Sequence, residues 1–204
     1  MADVGAAAEI SAEVIKSKIT MFHGVEFTYV EGYLAFLGET LQVSVNCAKV
    51  ANVPNIALGL PSYNVVADKE LKPKLKEAAA KANTIFGNGK EIMELTGEST
   101  VQKAFGCFDS SQTVFATVNS EGCWVRERGK SEPVHIPTKP VQKVANPIGA
   151  GDAFAGAALA ALLKGLPPSE AARWGNRVAG EAIQQPSATL SPKQWADLRI
   201  ELRA

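Results

Sequence analysis

Histidine and cysteine are scarce in this chain, with two of the first and three of the second in 204 residues. His23 and His135 lie too far apart for a metal cluster or a nucleophilic triad. Cys47, Cys107 and Cys123 are widely spaced and odd in number. They argue against a disulfide frame or a zinc site and for reduced thiols. An excess of one charge sign is lacking too. Lys+Arg and Asp+Glu both number 21, no basic block exceeds a pair, and so there is no positive field for nucleic acid. The longest apolar run, Ala153–Leu163, is too short to span a bilayer and reads as a buried helix. Asp3 and Glu9 among alanines make neither a basic signal-peptide start nor an Arg-rich transit peptide. The expected compartment is the cytoplasm.

What is present is globular. With 46% apolar residues, the chain has the length to bury about 70% of its unfolded surface. No repeat, low-complexity tract or linker divides it, so a single domain over residues 1–204 is expected. Extended and helical patterns alternate, which predicts an α/β fold: a mostly parallel sheet with helices on both faces. Strands are expected at Phe27–Val30, Asn55–Leu60 and Thr84–Phe86, and a hairpin from Thr113–Val118 and Cys123–Arg126 about residues 119–122. Helices are expected at Glu39–Val50, with Leu41, Val45 and Ala48 on one face, at Asp68–Ala82 and at Glu91–Leu95. Three more are expected at Gly151–Lys164, Ser169–Gln184 and Ser191–Arg203, the last opened by the capping box of Ser191 and Gln194. His135, between Val134 and Ile136, reads as a strand residue facing solvent. Trp124, Trp174 and Trp195 read as packing residues.

The run Asn146-Pro147-Ile148-Gly149-Ala150-Gly151-Asp152-Ala153-Phe154 carries the chemistry. Glycines let an anion approach the backbone without a side chain in the way. A helix opening at that point aims free N–H groups and the positive end of its dipole at the same spot. Asp152, in the first turn, can take a proton from a group attacking a bound phosphate. An anion hole made by Gly149, Ala150 and Gly151 beside a base is equipment for phosphoryl transfer. Taken singly, a glycine pair is often only a turn, and Asp152 is a helix cap as readily as a base. Phe154, Ala157, Ala158, Ala161 and Leu162 form the core stripe of the helix behind it.

That run resembles the C-terminal signature of the ribokinase/PfkB family of sugar and nucleoside kinases, Asp-Thr-x-Gly-Ala-Gly-Asp, with Asn146 and Pro147 in place of its first two residues. Gly87-Asn88-Gly89-Lys90-Glu91 is similar to the family's Asn-x-x-Glu motif. The stretches Val30-Glu31-Gly32-Tyr33 and Ile85-Phe86-Gly87-Asn88 are closest to the adenosine-kinase branch. The resemblance runs from about Asp3 to Pro192 but reaches only the later part of a family member. The family's N-terminal strands, its Gly-Gly substrate motif and most of its lid have no counterpart.

The resemblance implies ATP and Mg2+, with Asp152 as general base and Asn88 and Glu91 holding the cation through water. By itself, the segment around Asn88 is an ordinary loop entering a helix. The resemblance also implies nucleotide contacts at Thr117, Asn119, Gly122 and Asn176. Asn119 stands where the family has glycine, and asparagine tolerates positive φ. The implied activity is phosphorylation of a primary alcohol on a nucleoside or sugar, adenosine favoured. Against it stands a catalytically inactive remnant that binds nucleotide or a protein partner. The sheet edge left without its N-terminal strands would then be covered by a partner chain or by self-association. Met1–Ala8 reads more as an internal family segment following a strand than as a natural N-terminus.

Overall fold

The computed structural model describes residues 9–187 and 189–201; the expected extension to Arg203 and the reading of Met1–Ala8 lie outside them. Six strands are present: β1 (Phe27–Glu31), β2 (Asn55–Gly59), β3 (Thr84–Asn88), β4 (Thr113–Thr117), β5 (Cys123–Arg126) and β6 (Val134–Ile136). They follow the order β1-β2-β3-β4-β5-β6 in one mostly parallel sheet. Pairs β1–β2 and β2–β3 are parallel, with Glu31 opposite Gly59 and Gly59 opposite Phe86. Pair β5–β6 is antiparallel. The helices are α1 (Ala12–Ser17), α2 (Thr40–Val50), α3 (Tyr63–Val66), α4 (Leu71–Lys81), α5 (Gly89–Thr96), α6 (Val101–Phe105), α7 (Ala150–Leu163), α8 (Pro168–Ala182) and α9 (Pro192–Glu201). No helix among the described residues is long and apolar enough to cross a membrane.

Contacts divide the chain into two compact units, Met1–Val114 and Phe115–Ala204. The first carries the three parallel strands. Leu41, Val45 and Ala48 of α2 are fully buried, as their helical spacing predicts, together with Leu58, Leu75, Ile85 and Ile92. Helix α4 begins at Leu71, not at Asp68. The Asp68 carboxylate accepts the N–H groups of Glu70 and Leu71 at 2.8 and 3.0 Å, so it braces the turn ahead of the helix, whose N-cap is Glu70. Pro73 falls in the first turn, where its missing N–H costs nothing. Gly97 ends α5 in the left-handed conformation, φ 86°. Cys47 is buried and Cys107 is exposed.

The second unit is built on β5, β6 and the α7–α8 pair. Phe154 of α7 meets Phe115 edge to face at 6.1 Å. Gly175 of α8 lies so close to that ring that a Cβ there would come within 2.6 Å of two ring carbons. Any side chain at 175 would force the Phe154 ring or the helix pairing to shift. Val178, Ala182, Leu190 and Leu198 form a second cluster, with Trp174 packed against it. Trp195 is 41% exposed and does not pack as expected. His135 corrects a second expectation. Paired with Trp124 across the β5–β6 ladder, it is half-buried against that indole at 4.8 Å and does not face solvent. Cys123 is buried, and burial pushes its thiol up to about 12. The box opening α9 forms as read: Ser191 Oγ accepts from Gln194 N at 3.3 Å, and Gln194 Oε1 accepts from Ser191 N at 3.0 Å.

Candidate active site

In the second unit the run 146–154 is a turn leading into α7. Asn146 Oδ1 accepts from Ile148 N at 3.0 Å, an Asx turn that holds the approach to the helix. The N–H groups of Ala145 and Asn146 are anchored on the Ile183 carbonyl at 2.8 and 3.1 Å. The asparagine amide thus braces the turn. Gly149 is the N-cap of α7 at φ 82°, ψ 1°, a left-handed conformation that glycine enters without a Cβ penalty. Ala150 N reaches the Pro147 carbonyl at 3.3 Å. Among the described residues, no group accepts from the N–H of Gly149, Gly151 or Asp152. Three donors at the positive end of a 14-residue helix therefore stand open to an acceptor.

Asp152 is exposed and lies in the first turn of α7, but the N-cap is Gly149 and no side chain caps the helix. Among the described residues, nothing donates to its carboxylate. A cap would have explained the acid locally; the geometry gives it no such duty. The stretch 137–149 ahead of it is neither helix nor strand.

The turn at residues 117–122 forms a second cluster in the same unit. Asn119 takes φ 52°, the positive value its residue type tolerates. The turn closes by Val118 N donating to the Gly122 carbonyl at 2.8 Å. Gly122 sits at φ 106°, with no room for a Cβ against the Ile136 carbonyl. Asn176, buried on α8, donates its side-chain N–H to that same carbonyl at 3.0 Å. Three of the four residues named as nucleotide contacts thus belong to one knot of turn, strand and helix. Thr117 ends β4 beside it.

In the first unit, Asn88 ends β3 and caps α5. Its Oδ1 accepts from Glu91 N at 2.9 Å, while Glu91 Oε2 accepts from Asn88 N at 2.8 Å and Oε1 from Asn88 Nδ2 at 2.7 Å. This is a capping box. Glu91 is only 8% exposed. Burial pushes its carboxyl up to about 7; the Asn88 N–H groups oppose that rise and the Glu31 carboxylate adds to it. Among the described residues, no group of three or more His, Cys, Asp or Glu could cage a metal ion. The donor set, one strapped carboxylate with a second acid coupled to it, fits a hard cation held through its own waters.

In the sequence, Glu31 enters only as part of the resemblance at residues 30–33 and is given no role, and Tyr29 is not singled out. Tyr29 Oη donates to Glu31 Oε2 at 3.1 Å, and a Cβ at Gly59 would collide with that hydroxyl. The one available signal was an acid closing a strand just before a glycine.

The model of the pfkB family of carbohydrate kinases matches residues 1–195. A cytidine kinase of Thermococcus kodakarensis is 30% identical over 128 residues, 62% of this chain and 42% of that protein. The adenosine kinase of Sinorhizobium meliloti superposes with a TM-score of 0.80 at 22% identity, over 94% of this chain and 59% of its own. An E. coli structure assigned to ribokinase II and solved with ATP and Mg2+ superposes with a TM-score of 0.80 at 18% identity, over 96% of this chain and 65% of its own. The chain therefore spans 42% to 65% of the length of these three proteins. The structural likeness is one of fold.

Proposed function

The chain belongs to the pfkB family of carbohydrate kinases, and from that premise we propose that it is an ATP-dependent kinase phosphorylating the primary alcohol of a nucleoside or sugar, adenosine favoured. We read its two units as one kinase domain over residues 1–204, in line with a family model that crosses both. One observation carries the reading: the open N–H groups at the start of α7, with an exposed and uncommitted carboxylate one turn in. In this reading the open N–H groups of Gly149 and Gly151 donate to the transferring phosphoryl group, and Ala150 joins them by giving up its 3.3 Å bond to the Pro147 carbonyl. Losing one such donor costs about 10²–10³ in rate. Asp152 takes the proton from the acceptor hydroxyl as that oxygen attacks phosphorus in line. Asn119 and Gly122 shape the floor of the nucleotide subsite, and Asn176 holds it in place through Ile136.

Asn88 and Glu91 are the residues that would hold Mg2+, through water. When bound, Mg2+ would supply positive charge against the phosphates of ATP, the phosphoryl donor. Support for nucleoside-type substrates comes from the relatives' named activities and for ATP with Mg2+ from the E. coli neighbour.

Unfolding in denaturant with and without Mg·ATP tests the nucleotide half of the reading. At 100 times the dissociation constant, Mg·ATP should stabilise the chain by about 2.7 kcal/mol. An unchanged midpoint at saturating Mg·ATP would sink it. A shift without turnover on any nucleoside or sugar would leave a nucleotide-binding protein in place of the kinase.

A further inference from the structure

The amino ends of β3 and β4 border a cavity of about 770 Å³ that belongs wholly to the first unit. Asn83, just before β3, lines it, whereas Asn88 and the cation subsite stand at the other end of that strand. Its walls are the carboxyl-terminal parts of α2 and α4, the end of α5 and the loop between α6 and β4. Hydrogen bonds fix those walls. Buried Gln112 donates to the Ala79 and Ala82 carbonyls at 2.7 Å each and accepts from Asp109 N at 3.0 Å. Gln42 Nε2 donates to the Lys74 carbonyl at 3.0 Å and Lys81 Nζ to Asn46 Oδ1 at 3.0 Å, which ties α2 to α4. Helix carboxyl ends ordinarily repel an anion. Here two carbonyls at the end of α4 are already spent on Gln112.

Three lysines, Lys49, Lys76 and Lys81, line the cavity against one acid, Asp109. Lys49 and Lys81 sit in the last turns of α2 and α4, where the helix dipole alone favours a cation. Lys76 lies mid-helix and has no such reason. Lys81 is committed to Glu77 at 2.7 Å and to Asn46, and Asp109 Oδ1 accepts from Ser111 N at 2.8 Å. Lys49 and Lys76 are exposed, and among the described residues neither ammonium group makes an ion pair or a hydrogen bond. We propose that this cavity binds a phosphorylated small molecule, its phosphate taken by Lys49 and Lys76 and its apolar body laid along Ala80 and Phe108. A phosphate monoester carries about −1.5 to −2 charge at pH 7, which answers two cations, whereas a carboxylate would leave one unanswered. Each ammonium brings three donors and no acceptor. The volume falls in the range of about 300–1,000 Å³ that holds whole small molecules, so a lone phosphate would leave most of it to solvent. The site stands apart from the phosphoryl-transfer residues and does not rest on the kinase reading.

Calorimetric titration of the chain with phenyl phosphate tests this, with inorganic phosphate and phenol as the two halves of the probe. Wild type should bind phenyl phosphate more tightly than inorganic phosphate and should not bind phenol. Lys49→Gln and Lys76→Gln should each raise the phenyl phosphate dissociation constant about tenfold, the worth of one hydrogen bond to a charged group. Both side chains are exposed, so the unfolding midpoint should stay where it is. Lys76→Arg, which keeps the charge, should bind like wild type. Ala80→Trp, on the exposed face of α4 at the cavity wall, should fill the space and abolish binding with both lysines intact. Wild type that fails to bind phenyl phosphate at millimolar concentration overturns the inference. So does binding indifferent to both glutamine variants, which would place the phosphate elsewhere, the N–H groups of α7 included. Phenyl phosphate bound no better than inorganic phosphate, or equally well in Ala80→Trp, overturns it too, because the cavity would then contribute nothing beyond two surface charges.

Discussion

Asp152→Ala should lower ATP-dependent phosphorylation by about 10²–10⁴-fold, the usual worth of a positioned general base, and leave the fold standing. The asymmetry follows from what the side chain does in the folded chain. Its carboxylate is exposed, caps nothing and has no donor among the described residues. Its contribution to stability is that of an acid near a helix N-terminus, about 0.3–1 kcal/mol. Steady-state turnover and guanidinium unfolding on the same preparations separate the two effects. Mg·ATP should still stabilise the variant, because the Gly149–Gly151 backbone is untouched. Turnover that survives in Asp152→Ala would remove the residue from the chemistry. Turnover lost together with several kcal/mol of stability would make it a structural residue.

Glu91→Gln should do the opposite to stability. Burial raises the folded-state carboxyl to about 7 against an ordinary value of 4.5. The folded chain therefore holds this proton more tightly than the unfolded chain does. The group's contribution is fully present below the unfolded value and is lost as pH rises through the folded one. Between pH 5 and pH 8, ionising Glu91 should cost wild type about 3 kcal/mol at most. Glutamine can keep the capping box, since it offers an acceptor oxygen to the Asn88 N–H. Glu91→Gln should thus be more stable than wild type at pH 8 and nearly equal to it near pH 4.5. In the kinase reading it should also respond less to Mg2+ in turnover assays. Urea titrations at the two pH values check the sign. A wild-type stability that rises through this window, with Glu91→Gln rising in parallel, would count against the assigned burial effect. A stabilised, less active variant is the usual mark of a residue retained for function.

The parallel half of the fold was legible because its strands are short apolar runs bounded by polar or turn residues, as at Asn55–Leu60. Helix α2 declared itself through Leu41, Val45 and Ala48. Helices α1, α3 and α6 were missed for a common reason: each spans fewer than two turns, too little for an apolar stripe to repeat. The start of α4 was misplaced because Asp68 reads equally well as a cap and as a first-turn acid. In the candidate site, the turn, the helix start and the carboxylate at Gly149–Asp152 are local features that residue chemistry shows, while their proposed use in phosphoryl transfer leans on the resemblance. The bond from Asn176 to Ile136 crosses 40 residues, and no local pattern encodes it. Glu31 was hidden for the reverse reason. A lone acid at a strand end is common, and only the phenol folded across Gly59 makes it particular.

The three thiols give the chain a built-in reporter. Cys107 lies open to solvent, whereas Cys47 and Cys123 are buried, the latter with its thiol held protonated at about 12. Thiolate is the reactive form, so a maleimide dye marks one position in the native chain. The other two become available only when the helix and strand that bury them come apart. Cys47 belongs to the first unit and Cys123 to the second, so the order in which they are tagged reveals whether the halves of the chain open together or in turn.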